Sequence, residues 1–323
     1  MEVTFAGSPD RVEARLVPER GYAFDAFRVA GFPRRPGLRL FRAFGLAAAA
    51  PVSCLRILAR RQPDVVLGGG GYVGGPMVVA AWLRRIPAAL TEADAHLGLA
   101  NRLAAPFVQR LFLAYPPEHA NGKARVVGRP VPPRSAMTQD DARRSLGLPT
   151  EGPVLLVAGG SQGARTLNET AVSAWGAAGP NVLHLSGERE YDELRARVTR
   201  DGYVLRPFVD DFGMALAAAD IVVSRAGGSV WEIAAAGRPA ILVPYPHATS
   251  DHQAKNAEYF ERAGGARVVR DEDSRTLVPP AVAELLADPD LRARMSDAMR
   301  AAARPDAADK IADELVALAA ARR

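Results

Sequence analysis

Short apolar runs alternate along the chain with longer stretches in which apolar residues recur at helical spacing. The short runs predict strands at Val3–Ala6, Phe24–Val29, Asp64–Leu67, Ala88–Thr91, Arg110–Ala114 and Ala124–Val127. A second series is predicted at Val154–Ala158, Val182–Leu185, Tyr203–Arg206, Ile221–Val223, Ala240–Val243 and Arg267–Val269. Helices are expected between most of them, among them Pro76–Leu83, Gln162–Trp175 and Trp231–Ala236. This alternation reads as an α/β fold with mainly parallel strands. The two series are separated by Gly128-Arg129-Pro130-Val131-Pro132-Pro133, whose prolines continue neither a helix nor a central strand. The expected division is a first domain over 1–130, a second over 131–305, and an Ala-rich closing helix over 306–323.

A length of 323 residues suits two domains and needs no disulfide or structural metal to hold a core. The single cysteine, Cys54, rules out an internal disulfide and a cysteine-rich zinc site, and suits a reducing cytosol. The most membrane-like uncharged stretch, Ala43–Leu55, is too short to span a bilayer and contains Pro51. Charges near the start, with no apolar run after them, give no signal-peptide pattern. The net charge of +5 is unevenly distributed. Arg28, Arg34, Arg35, Arg39, Arg42, Arg56, Arg60 and Arg61 fall in an acid-free window from Ala26 to Gln62. The remaining 33 basic residues are outnumbered by 36 acidic ones.

Four segments carry candidate chemistry. Gly68–Pro76 is a glycine-rich loop between a strand and a helix, read either as a packing turn or as a close backbone approach to an anion. Gly159-Gly160-Ser161-Gln162-Gly163-Ala164 follows another strand. Ser161 there is a helix cap or part of a phosphate site, and the loop lacks the ending of a Walker A motif. Ser224–Glu232 joins a strand to a helix through Gly227 and Gly228. Glu232 is placed to hold a ribose diol or to serve the helix dipole. Pro244–Gln253, with Asn256 beyond it, offers Asp251, His252, Gln253 and Asn256 to a polyhydroxylated ligand; Asp251 as a plain N-cap is the alternative. The histidine spacing is not that of a metal site, and no metal or cofactor is expected. His96, His119 and His184 are read as surface or core residues. No nucleophile elbow is present.

In this order the four segments resemble the MurG family of GT-B glycosyltransferases, over essentially the whole chain. The most specific stretch is S-R-A-G-G-S-V-W-E-I-A-A-A-G-R-P-A-I-L-V-P-Y-P-H-A-T-S-D-H-Q-A-K-N-A, from Ser224 to Ala257. The resemblance implies two Rossmann-like domains with parallel sheets facing across a cleft. It also implies an inverting transferase that moves N-acetylglucosamine from UDP-GlcNAc to lipid I, forming lipid II for peptidoglycan. The donor side would comprise Ser161, Gln162, Gly163, Val209, Gly227, Gly228, Ser229, Glu232, Asp251, Gln253 and Asn256. Val209 would meet uracil through its backbone and Glu232 would hold the ribose. The acceptor side would comprise Gly69, Gly70, Gly71, Tyr72 and Asn101, with Glu92 as the candidate catalytic residue. No protein-bound metal is implied. The protein would work peripherally at the cytoplasmic face of the cell membrane. The eight arginines flank Phe32, Leu38, Leu40, Phe41, Phe44 and Leu46. That pattern reads either as contact with anionic lipid through Arg34, Arg35, Arg39 and Arg42 or as a solvated basic face on a long helix.

Three departures from the family pattern stand out. The family's first strand, its Gly-Gly-Thr-x-Gly-His loop and the following helix have no counterpart ahead of Val3, which leads to the expectation of a longer natural protein. Thr91-Glu92-Ala93-Asp94 stands for His-Glu-Gln-Asn, and Gly128-Arg129-Pro130-Val131-Pro132 for Gly-Asn-Pro-Val-Arg. Alternative readings are a transferase acting on another lipid such as diacylglycerol, and a non-catalytic UDP-sugar binder. A UDP-GlcNAc 2-epimerase would want more acids and histidines. Nucleic acid is not an expected partner, because the basic window lacks a recognition motif and a stacking platform.

Overall fold

The computed structural model describes residues 2–29, 38–117, 122–160 and 163–322, the side chains of 38–49 excepted. The chain folds as two units. One comprises Met1–Ala93, Leu97–Val127 and Asp309–Arg323; the other comprises Asp94–His96 and Gly128–Ala308. All twelve predicted strands form: β1 (Thr4–Gly7), β2 (Ala23–Ala26), β3 (Val66–Gly68), β4 (Ala88–Glu92), β5 (Arg110–Leu113), β6 (Ala124–Val126), β7 (Val154–Ala158), β8 (Asn181–Leu185), β9 (Tyr203–Arg206), β10 (Ile221–Ser224), β11 (Ala240–Leu242) and β12 (Ala266–Val268). Every pairing among them is parallel.

The second unit is built on one six-stranded sheet of order β12-β11-β10-β7-β8-β9. All five residues of β7 are buried, which accounts for its unbroken apolar run. Helices Arg165–Trp175 and Ser274–Ala287 pack Leu167, Ala171, Val278 and Val282 on one face, against Leu155, Val157, Ile221 and Ile241. The intervening Leu156 and Val222 are equally inaccessible, so both faces are covered. The starts of the two central strands, β7 and β10, are tied by a buried arginine. Arg143 pairs with Asp220 at 2.6 Å and donates to the carbonyls of Ala218, Thr150 and Gly152. Asp220 in turn accepts from Val154 N at 2.7 Å.

The first unit contains a four-stranded sheet, β3-β4-β5-β6, and a separate pair, β1-β2. Helix Leu38–Arg61 runs through Pro51, and its residues Ala50, Cys54, Ile57 and Leu58 form a buried stripe at helical spacing. Cys54 is fully enclosed, and burial pushes its thiol up to about 12, so it is not a nucleophile at neutral pH. Arg60 and Arg61, at the end of this helix, both bind the buried carboxylate of Asp25 on β2; the Arg61 contact is 2.8 Å. Two of the eight arginines in the basic window therefore serve the fold.

Several expected boundaries move. The glycine-rich segment is mostly helix: Gly71–Leu83 replaces the expected Pro76–Leu83, and with Gly68 in β3 only Gly69 and Gly70 remain as the loop. The glycine at 74 lets this helix lie close on β3, where an added β-carbon would sit 3.4 Å from the Gly68 Cα. The other two helices span Arg165–Trp175 and Val230–Ala235. The chain passes from one unit to the other between Val127 and Gly128. The tail helix, Ala307–Ala320, is not a separate piece. Its Ile311, Leu315 and Leu318 pack on Ala89, Phe112 and Val127, and Arg110 binds Glu314 at 2.7 Å, so it joins the first unit. Among the described residues, no helix is long and apolar enough to cross a membrane.

Candidate functional site

In the second unit, connections leave β7 and β10 in opposite directions along the sheet. This is the switch point at which open parallel sheets bind ligands, beyond the carboxyl ends of the strands. The segments after β7, β10 and β11 all contain predicted site residues. Glu232 lies in the first turn of helix Val230–Ala235 and is half-buried. Burial raises its carboxyl above the ordinary range, and the charge of Arg129 partly opposes that shift. The Arg129 guanidinium lies over Gly228, at a place that a β-carbon would fill. Beside Gly227, Nε2 of Gln253 is 3.9 Å from where a β-carbon would stand, while Oε1 of Gln253 accepts from Tyr245 N at 2.9 Å. Ser229 stands at the N-cap but makes no side-chain cap bond.

Asp251 occupies the N-cap of helix His252–Arg262, yet its side chain makes no cap bond. Asp251 and Ser250 both have left-handed backbones, with φ of 53° and 55°, an arrangement that costs a non-glycine residue about 1–3 kcal/mol. The exposed carboxylate of Asp251 thus projects from a strained turn rather than capping the helix. Asn256 differs from its expected role. It is fully buried; Nδ2 donates to Ala226 O at 3.1 Å and to Asp94 Oδ1 at 3.2 Å, and Oδ1 accepts from Ala95 N at 2.8 Å. It holds the loop that carries Gly227, and leaves no surface for a sugar. Val209 is buried in the turn before helix Phe212–Ala218, whose N-cap Asp211 accepts from Met214 N at 3.1 Å. Ser161 and Gln162 lie outside the described residues; Gly163, next to them, abuts the carbonyl of Ser186.

Arg225 is a residue that the sequence reading passed over. It is buried, pairs with Asp271 at 2.5 Å, donates to the carbonyls of Val243 and Pro244, and sits 5.6 Å from the Tyr245 ring centre. Asp271 also accepts from Thr166 at 3.0 Å. The guanidinium thus ties the loops after β10 and β11 to Asp271, beyond β12, and Asp271 in turn holds the helix after β7. The available signal was a charge directly following an apolar strand inside a glycine motif. In β8, His184 is buried between Tyr203 Oη (2.9 Å) and Asn168 Oδ1 (3.0 Å), and burial pushes it down to about 3. It is a neutral core histidine.

In the first unit, Gly70 has φ 86° and ψ −178°, a conformation essentially confined to glycine, and it opens helix Gly71–Leu83. A β-carbon on Gly69 or Gly71 would meet open space. Arg11 Nε donates to Tyr72 Oη at 3.0 Å, which brings a cation from the loop after β1 to the glycine segment. Asn101 is buried, and its Nδ2 donates to Thr91 O at 3.0 Å and to Glu92 Oε2 at 2.9 Å. Glu92 also accepts from Ala93 N and Gly98 N, each at 3.0 Å. With both oxygens occupied, Glu92 clamps its loop, and this geometry does not suit the catalytic role that the sequence suggested for it. Asn101 likewise supports the loop from beneath, rather than presenting a polar group to an acceptor.

Residues 1–113 match the glycosyltransferase family 28 N-terminal domain, and residues 154–311 match its C-terminal domain. The UDP-N-acetylglucosamine–N-acetylmuramyl-(pentapeptide) pyrophosphoryl-undecaprenol N-acetylglucosamine transferase of Acidithiobacillus ferrooxidans is 41% identical over 97% of this chain and 88% of its own length. The chain belongs to the MurG family. Its relative in Rubrobacter xylanophilus, with the same name, is 38% identical over 98% of this chain and 95% of its own. The crystal structure of Acinetobacter baumannii MurG superposes with a TM-score of 0.79 at 26% identity, covering 97% of this chain and 90% of that one. Two of the departures from the MurG pattern now have places in the fold: Asp94 binds Asn256, and Arg129 lies on Gly228.

Proposed function

We propose that this chain moves N-acetylglucosamine from UDP-GlcNAc to lipid I, with inversion, giving lipid II for peptidoglycan. The observation that carries the donor half is the grouping of Glu232, Gln253 and the Gly227-Gly228 pair beyond β10, at the sheet's switch point. In this reading an ionised Glu232 accepts hydrogen bonds from the ribose, Val209 meets uracil through its backbone, and Asp251 and Gln253 face the sugar hydroxyls. Ser161, Gln162 and the amides near Gly227 and Gly228 hold the donor's diphosphate, and Gly163 and Ser229 complete the donor side. Gly69, Gly70, Gly71 and Tyr72 receive the acceptor's diphosphate. The acceptor hydroxyl attacks the anomeric carbon as UDP departs, and the charge that develops on the diphosphate must be met by donors already in place.

We assign contact with an anionic membrane surface to Arg34, Arg35, Arg39 and Arg42, with the protein bound peripherally on the cytoplasmic face. Arg34 and Arg35, and the side chains of Arg39 and Arg42, lie outside the described residues. Reversal of Arg35, Arg39 and Arg42 to Glu should abolish binding to anionic vesicles; unchanged binding rejects this surface.

The decisive experiment is transfer from UDP-GlcNAc to a lipid I analogue. It should be run on this chain and on one extended at its N-terminus by a strand, a glycine-rich loop and a helix of the family pattern. Glu232→Ala should weaken UDP binding by about 10–100-fold with the fold retained; an unchanged affinity removes Glu232 from the site. A second reading, a UDP-sugar binder without transfer, has one observation in its favour, the full engagement of Glu92 in its own loop. Donor binding without any turnover in either chain would select it.

A further inference from the structure

Arg129 belongs, by sequence, to the proline-rich linker, but its guanidinium lies elsewhere. It packs over the backbone of Gly228, close enough that any side chain at 228 would collide with Nη1, Cζ and Nη2. The same charge acts on Glu232, one turn along. Among the described residues Arg129 forms no ion pair, so its charge is not consumed by the fold. The segment beneath it is held firmly: Ala226 O accepts from the buried Asn256, and Gln253 Nε2 stands beside Gly227. A glycine here thus admits a planar, permanently charged donor to the point where the preceding reading places the donor's diphosphate. The guanidinium fork suits two phosphate oxygens at once.

We propose that Arg129 binds the diphosphate of the nucleotide-sugar and stabilises the charge that the leaving UDP acquires. The inference rests on the second unit being the UDP-sugar site. In the transfer, the acceptor hydroxyl oxygen bonds to the anomeric carbon and the bond from that carbon to the diphosphate oxygen breaks. The electron pair goes to that oxygen, and the hydroxyl proton passes to water. Arg129 takes no part in the proton transfer, and its contribution grows as negative charge moves onto UDP and appears in kcat as well as in binding.

The test compares UDP and uridine binding by calorimetry in the full chain and in Arg129→Ala, Arg129→Lys and Glu232→Ala. Arg129→Ala should weaken UDP by about 10–100-fold while leaving uridine within about twofold, because uridine lacks the diphosphate. Arg129→Lys should fall between, retaining the charge but losing the fork. Glu232→Ala should weaken both ligands, since both carry the ribose. Unchanged UDP affinity in Arg129→Ala, alongside a loss in Glu232→Ala, overturns the role of Arg129 and leaves the donor site standing. An equal loss of UDP and uridine in Arg129→Ala shows a prop of the loop, and overturns it as well. If Glu232→Ala changes neither ligand, the donor-site reading fails, and the proposal with it.

Discussion

The two units use the same βα pattern but complete it differently. In the second, β7 is flanked by β10 and β8, and every strand belongs to one sheet. In the first, β1-β2 parallels the arrangement of β8-β9, and β3-β4-β5 that of β10-β11-β12, but no described strand takes the place of β7. The consequence is visible in exposure. All residues of β7 and β10 are buried, whereas Phe5 on β1 is 41% exposed and Leu67 on β3 is 42% exposed. Open parallel edges with apolar side chains are costly, because backbone groups lack partners and apolar area meets water. A shared alphabet of elements therefore does not ensure equal packing; the central strand decides it.

The largest expected effect tests the anchoring of the complete sheet. Arg143→Ala leaves Asp220 and three carbonyls without their donor, and should cost the second unit about 3–5 kcal/mol in chemical denaturation. A midpoint unchanged from the parent would show that the starts of β7 and β10 do not depend on it. Leu156→Ala, at the centre of β7, should cost about 2–5 kcal/mol, against about 1 kcal/mol or less for Phe5→Ala on β1. Similar losses at both positions would erase the distinction between the two sheets.

Asp25 provides the corresponding anchor in the first unit. Its hydrogen bond to Arg61 and the charges of Arg61 and Arg60 hold its carboxyl below the usual range. Because the folded value is lowered, the stability it adds is present above about pH 4 and disappears as pH falls through that lower value. Asp25→Asn should cost about 1–2 kcal/mol near neutral pH, discounted for the solvent around the arginines, and should flatten the acid limb of the first unit's stability curve. A variant with the parent's acid limb would remove Asp25 as its source.

The smallest effect concerns ligand rather than fold. Burial raises the Glu232 carboxyl, so its ionised form appears at higher pH than for an exposed glutamate. Affinity for UDP should rise with pH through that raised value by a few fold, and Glu232→Gln should abolish the dependence. A persistent slope in Glu232→Gln would assign the titration to another group.

Much of this organisation was legible in the sequence. The twelve strands follow from apolar runs bounded by glycine, proline and polar residues, because a parallel strand buried on both faces needs continuous hydrophobicity. The candidate donor segments were legible for the same reason: glycines between a strand and a helix mark backbone that must turn or approach something closely. The start of helix Gly71–Leu83 was not, since glycine disfavours helix locally and only the packing of that helix on β3 admits it. Nor were the fates of Glu92, Asn101 and Asn256, polar residues whose partners are backbone groups and side chains set by the fold.

The sequence by itself determined the parallel α/β class, the order of the elements and the placement of glycine loops at strand ends, because these depend on local periodicity and backbone freedom. Tertiary structure alone decided which charges remain available for chemistry. Asp25 consumes Arg60 and Arg61, Asp271 consumes Arg225, and Glu92 is absorbed by its own loop, whereas Arg129 reaches Gly228 without an ion-pair partner among the described residues. A charge's role depends on what lies within a few ångströms of it, and that distance is set by chain segments far apart in sequence.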